Sequence, residues 1–156
     1  MDIKKTMDRI IIGSDHAGFQ LKEAIKECLA DMALAVTDVG TCNAEPADYP
    51  DFGVMVAEKV SSGEFERGIL VCGSGVGMTI IANKFPGIRA VLCLDQETAR
   101  LSRLHNNTNI LVLAGRKTDK VTAETIIGTW LKTAFEGGRH QRRLDKISGM
   151  ETKLYK

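Results

Sequence analysis

Five short runs rich in Ile, Val and Leu recur along the chain with helix-patterned stretches between them: Arg9–Ile12, Ala35–Val39, Gly68–Cys72, Ala90–Leu94 and Asn109–Leu113. Each is continuously apolar, the pattern of strands buried on both faces. Between the first two, Leu21, Ala24, Ile25, Cys28, Leu29 and Met32 repeat at helical spacing and make one apolar stripe. Pro50 suits the first turn of a second helix that turns Phe52, Met55, Val56 and Val60 inward. Val76–Lys84 and Gln96–Leu104 read as a third and a fourth, and Thr118 and Asp119 are caps for a fifth reaching about Phe135. This alternation predicts an α/β fold: a five-stranded parallel sheet with helices on both faces, a three-layer α/β/α sandwich of Rossmann-like type.

After Gly137-Gly138, the basic segment 139–156 carries only a thin stripe, Leu144, Ile147 and Leu154. It reads as a C-terminal tail helix that packs on another surface, such as a second subunit. With no repeat, low-complexity tract or linker, residues 1–156 read as a single domain.

Composition narrows the function. At 44% hydrophobic and 26% charged the chain is globular, and Lys plus Arg (21) against Asp plus Glu (20) lacks the basic excess of a nucleic-acid binder. Cys28, Cys42, Cys72 and Cys93 form no C-x-x-C pair, and His16, His105 and His140 show no metal-ligand spacing, so neither a disulfide framework nor a metal site is expected. Met1-Asp2-Ile3-Lys4-Lys5, followed by the apolar run Ile10–Ile12, does not read as a secretory signal, and nothing approaches the ~18 apolar residues of a membrane span. A reduced cytoplasmic setting is expected.

In open α/β sheets ligands bind beyond the carboxyl ends of the strands. Those positions hold Gly13-Ser14-Asp15-His16-Ala17-Gly18, then Gly40-Thr41-Cys42 with Asp48-Tyr49-Pro50, then Cys72-Gly73-Ser74-Gly75-Val76-Gly77, Asp95, and Gly115-Arg116. The glycine loop Gly73–Gly77 lets backbone amides approach an anionic oxygen at the start of a helix. It is neither a Walker loop nor the dinucleotide fingerprint, which needs its third glycine where Met78 stands. A tight strand-to-helix turn is the plainer account of such a loop. Cys72 precedes it, where the helix dipole favours thiolate, so it is a candidate base or nucleophile, whereas Cys28 and Cys93 read as core cysteines. His105 lies in a polar break before the fifth strand, and His140 reads as solvated. Arg139 and Arg143, four apart, share a helix face that could clamp a phosphate with Arg116; an ordinary charged face is the alternative. The set suits proton abstraction beside a carbonyl on a small phosphorylated substrate.

These residues resemble the type B ribose-5-phosphate isomerases, in the group that includes galactose- and allose-phosphate isomerases. The likeness rests on Gly13–Phe19, Asp38–Thr41, Asp48–Pro50, Cys72–Gly77, Ala82–Lys84, Gly87–Ala90, His105–Asn109 and Glu136–His140, in order from about residue 10 to residue 147. The resemblance implies a metal-free, cofactor-free aldose–ketose isomerase of ribose 5-phosphate and ribulose 5-phosphate. It implies Cys72 as the base of a cis-enediolate route, with Ser74 and the amides of Gly73, Gly75, Val76 and Gly77 holding the oxyanion. It further implies His105 as the residue that opens the sugar ring, Asp15 as a sugar contact, His16, Arg139, Arg143 and Arg116 as the phosphate grip, and pocket positions for Tyr49 and Asn106. Members lacking the cysteine carry a glutamate after the loop; Met78 fills that place here. The resemblance also implies a homodimer or dimer of dimers with shared sites. A six-carbon sugar phosphate, or a binding module without catalysis, are the rival readings.

Overall fold

A computed structural model of the chain describes residues 9–156, so the Met1–Lys5 stretch read for a leader lies outside it. Among the described residues five strands form one sheet, β1 (Arg9–Ser14), β2 (Ala35–Asp38), β3 (Arg67–Cys72), β4 (Ala90–Leu92) and β5 (Ile110–Ala114), in the order β2-β1-β3-β5-β4. Every neighbouring pair is parallel. The helices are α1 (Phe19–Asp31), α2 (Tyr49–Ser61), α3 (Val76–Ala82), α4 (Gln96–Asn106), α5 (Lys120–Lys132) and α6 (Arg139–Leu154). Among the described residues no helix is long and apolar enough to cross a membrane.

Side chains alternate across a strand, so the apolar runs of β1, β3 and β5 serve two cores at once. Ile10, Ile12, Ile69, Val71, Leu111 and Leu113 pack with Leu21, Ile25 and Leu29 of α1 and Ile126, Ile127 and Trp130 of α5. Ile11, Leu70, Cys72, Ile110 and Val112 pack with Val56, Ala57 and Val60 of α2 and Met78 and Ala82 of α3. This is the expected sandwich.

The edges differ from expectation. β2 alternates between exposed and half-buried residues, and β4 is half-buried throughout. A marginal strand is roofed by helices only in part, so an apolar composition does not give burial on both faces there. β4 also stops at Leu92, and Leu94 beyond it is 48% exposed. In α2 the inward positions are Gly53, Val56, Ala57 and Val60, while Met55 faces solvent. α5 is capped by Asp119 alone, whose Oδ1 accepts from the Thr122 amide at 2.8 Å; Thr118 is buried outside the helix, which ends at Lys132. α4 extends through His105 to Asn106 instead of breaking before it. The tail helix α6 packs on α4 of its own chain through His140 and Leu144, leaving Ile147, Met150 and Leu154 exposed. His140, read as solvated, is 4% exposed.

Lys22 of α1 is buried among apolar neighbours. Its Nζ donates to Asp38 Oδ2 at 2.5 Å and to the Thr41 carbonyl at 2.9 Å, and Asp38 also accepts from Lys26 and from the Gly40 amide. Buried charge persists only when paired and hydrogen-bonded. The pair ties the loop after β2 to α1, and Gly40 then lies against Ser14 at the end of β1.

Candidate active site

The loops after β1, β3 and β5, together with the start of α2, enclose a cleft of about 300 Å3 lined by Asp15, His16, Ala17, Tyr49, Cys72, Gly73, Ser74, Gly77 and Arg116. Its position beyond the strand carboxyl ends is the one that parallel topology dictates.

Cys72 ends β3 at the cleft floor with 4% of its surface exposed. The ladder continues past the strand ends: the Gly115 amide donates to the Cys72 carbonyl at 2.8 Å and the Arg116 amide to the Gly73 carbonyl at 3.1 Å. These bonds hold the Arg116 backbone against the start of the glycine loop, and Arg116 and Cys72 line the same cleft. A Cβ on Gly73 would lie 3.1 Å from Arg116 Nη1, so the guanidinium rests directly over that glycine. The other cysteines serve elsewhere: Cys93 is fully buried, burial pushing its thiol up to about 12, and Cys28 is half-buried.

Gly75 takes a left-handed φ of 77°, which lets the chain turn from β3 into α3. Ser74 Oγ accepts from the Val76 amide at 3.2 Å, and the Thr79 amide donates to Gly75. The first-turn amides of Gly77 and Met78 have no acceptor within the helix. The ring of Tyr49 covers Gly77, where a Cβ would come within 2.6 Å of it. Gly75 and Val76 shape the loop without lining the cleft, and the Val76 side chain is 51% exposed.

On the facing loop, Asp15 accepts from the Gly18 amide at 3.0 Å and caps a single turn of 3-10 helix, His16–Gly18. His16 Nδ1 lies 3.1 Å from the Ala47 amide and 3.2 Å from its carbonyl oxygen, which leaves Nε2 as the nitrogen available to a ligand. The buried Ser14 hydroxyl just before them has no partner.

Besides Gly75 and Val76, four expected site residues do not line the cleft of their own chain. His105 and Asn106 end α4, and Arg139 and Arg143 lie on α6. His105 stacks on His140 with ring centroids 4.3 Å apart. One group among the described residues has metal-like spacing, His105, Glu136 and His140, with ligand atoms within 4.8 Å of one another. Stacked imidazoles aim their lone pairs in parallel instead of at one point, so the set is poorly shaped for an ion.

Sequence reasoning missed Lys22, because a lysine beside an apolar stripe reads as surface; Ala17, which lines the cleft, was visible only within the Gly13–Gly18 stretch and was given no role. Asp38 was visible only as part of a motif.

A sequence model of the ribose/galactose isomerase family matches residues 10–147. The chain is 46% identical over 145 residues to ribose-5-phosphate isomerase B of Escherichia coli, covering 93% of this chain and 97% of the relative. It is 46% identical over 146 residues to a putative sugar phosphate isomerase of Bacillus subtilis, covering 93% and 98%. Among solved structures, ribose-5-phosphate isomerase B of Clostridium thermocellum superposes with a TM-score of 0.91 at 50% identity, over 94% of this chain and 99% of that one. The Mycoplasma genitalium enzyme with bound ribulose-5-phosphate gives a TM-score of 0.88 at 43% identity, over 92% and 96%.

Proposed function

This chain belongs to the ribose/galactose isomerase family, and from that membership we propose that it interconverts ribose 5-phosphate and ribulose 5-phosphate through a cis-enediolate, with Cys72 as base. The observation that carries the reading is that Cys72 lines the same cleft as Ser74, Gly77 and Arg116.

In the aldose-to-ketose direction the sulfur takes the proton from C2. The C2 electron pair forms the enediolate double bond and negative charge collects on O1. The amide of Gly77 and the Ser74 hydroxyl face that oxygen, and charge developing in a closed pocket is where fixed donors act most strongly. The proton returns to C1 as O2 becomes the ketone oxygen and its hydrogen passes to O1. Asp15, held by Gly18, accepts from sugar hydroxyls, and Tyr49 closes the side of the cleft. The sulfur works only when reduced, so the reading requires a reducing compartment, the cytoplasm.

The phosphate is gripped by His16 Nε2 and Arg116 from one chain and by Arg139 and Arg143 from a second copy, which also supplies His105 for ring opening and Asn106. Two features support the shared site. Those four residues do not line their own cleft, and α6, the helix that carries the two arginines, leaves Ile147, Met150 and Leu154 exposed. A turnover assay on ribose 5-phosphate and allose 6-phosphate, run beside the Cys72→Ala variant, tests the proposal. Ribose 5-phosphate should be the better substrate and the variant nearly inert; preference for the six-carbon sugar, or an undiminished variant, would overturn it.

A further inference from the structure

At the opposite end of the sheet, roughly 17 Å from Cys72 at ~3.3 Å per strand residue, a polar recess of about 190 Å3 is lined by Glu66, Arg67, Arg89, Arg103, Asn107 and Asn109. Arg67 opens β3, Arg89 precedes β4 and Arg103 lies near the end of α4. These residues come from distant stretches of chain and play no part in the isomerase reading.

One edge of each guanidinium is pinned to oxygens near a helix C-terminus. Arg67 Nη1 donates to the Leu131 carbonyl at 3.0 Å. Arg89 Nε donates to the carbonyls of Asn106 and Asn107 at 2.9 and 3.0 Å. Arg103 Nε reaches the Thr133 carbonyl at 3.3 Å, and its Nη1 donates to Asn107 Oδ1 at 2.9 Å and to the Thr108 carbonyl. The indole of Trp130 backs two of them, with Arg67 Cζ 5.4 Å and Arg103 Cζ 5.9 Å from its centroid.

A guanidinium carries five N–H donors in a fixed fork, so these anchors leave several on each side chain unused. None of the remaining nitrogens is buried without a partner. None of the three arginines is ion-paired among the described residues, whereas exposed Arg100 holds Glu97 at 2.7 Å. Burial first, and then neighbouring Arg67, push Arg103 down to about 10, with Glu66 pulling it upward and Arg89 adding to the depression, so Arg103 stays a cation at neutral pH beside two like charges. Among the described residues Glu66 is the one acid lining the recess, and it is exposed.

We propose that this recess binds a free phosphate-type oxyanion, at a site separate from the sugar-phosphate cleft. Three pre-positioned forks match the several lone pairs of a tetrahedral anion, and bidentate contact of this kind is what selects phosphate over chloride. The space takes one such anion with water, not a base and ribose.

Trp130 is the single tryptophan of the chain and touches two of the arginines, so its emission reads the site directly. Inorganic phosphate titrated against chloride at constant ionic strength should change that emission saturably. Arg89→Gln should raise the midpoint about tenfold, the effect of one lost charge-assisted contact. Glu66→Gln, at an exposed position that leaves folding intact, should lower it, and keeps the test available if Arg89→Gln fails to fold. His16→Ala, which alters the cleft's own phosphate grip, should leave the midpoint in place. No saturable change, a midpoint indifferent to Glu66→Gln, or one moved by His16→Ala would overturn the proposal.

Discussion

The imidazoles of His105 and His140 lie face to face, with planes 18° from parallel, and His140 Nε2 is buried without a hydrogen-bond partner. Burial first, then His105 and Arg139, holds His140 below the usual histidine range; Glu136, with Oε2 3.9 Å away, pulls weakly upward, and Arg143 adds to the depression. A histidine depressed in the folded state binds more protons when unfolded, so its contribution to stability is present above about pH 6.5 and is lost as pH falls toward the folded value. Urea midpoints compared at about pH 7.5 and about pH 5 should show this loss, and His140→Phe, which keeps the stack without the titration, should reduce it.

Lys22 and Asp38 supply a second acid-sensitive element at lower pH. Burial raises the Asp38 carboxyl, but hydrogen bonds from Lys22, Lys26 and the Gly40 amide outweigh it and leave the group below the ordinary carboxylate range. The stability it supplies is present above about pH 4 and fades as pH falls further. Asp38→Asn removes the shorter of the two carboxylate contacts of the buried Lys22 ammonium and leaves it only the partly exposed Glu23 at 3.2 Å, at a cost of about 3 kcal/mol. The melting temperature should then fall by roughly 6–12 °C for a domain of this size.

Replacing Cys72 by Ala should lower kcat by about 10²–10⁴, the range of a lost general base, while ribose 5-phosphate binding measured by calorimetry stays close to wild type. A parallel loss of binding would point to collapse of the cleft floor instead of missing chemistry.

Gly77→Ala drives a methyl into the Tyr49 ring. The expected cost is about 1–3 kcal/mol of folding stability. In a Tyr49→Ala background the same change should cost clearly less, because the clash has been removed. A double-mutant cycle by urea denaturation measures the difference, and additive effects would show that the ring is not the obstacle.

Arg139→Ala and Arg143→Ala should each raise KM about tenfold through loss of a charge-assisted phosphate contact, with little effect on stability. If two copies share each site, mixing Cys72→Ala with Arg139→Ala protein restores one intact site in each mixed pair. Assayed at substrate far below KM, where Arg139→Ala protein alone is about tenfold slowed, activity should then recover to about a quarter of wild type after random exchange of dimers. No recovery would mean that each chain builds its site alone.

The centre of the fold was legible because β1, β3 and β5 are buried by their own neighbours: Ile10–Ile12, Ile69–Val71 and Ile110–Leu113 could serve only a sheet covered on both sides. The margins were not, since composition records what a residue is and not how many strands flank it. The Cys72–Gly77 loop and Asp15-His16 stood out because their chemistry lies at strand ends. Lys22 was invisible because its partner lies 16 residues away, on another element. His140 read as solvated for a similar reason, its burial depending on how α6 folds against α4. The Arg67, Arg89 and Arg103 recess left no local trace, as its members meet only in three dimensions.

The loops under the cleft touch backbone to backbone. An added Cβ would fall 2.5 Å from the Val71 carbonyl at Gly18, 2.5 Å from the Ser14 amide at Gly40, and 2.6 Å from the Ala17 carbonyl at Gly115. Main chain packed beneath the cleft offers mutation almost nothing to alter, so drift in sugar preference is confined to the side chains that line it, at positions such as Tyr49. A lineage could lengthen or shorten its favoured substrate there, one side chain at a time, without disturbing the atoms beneath.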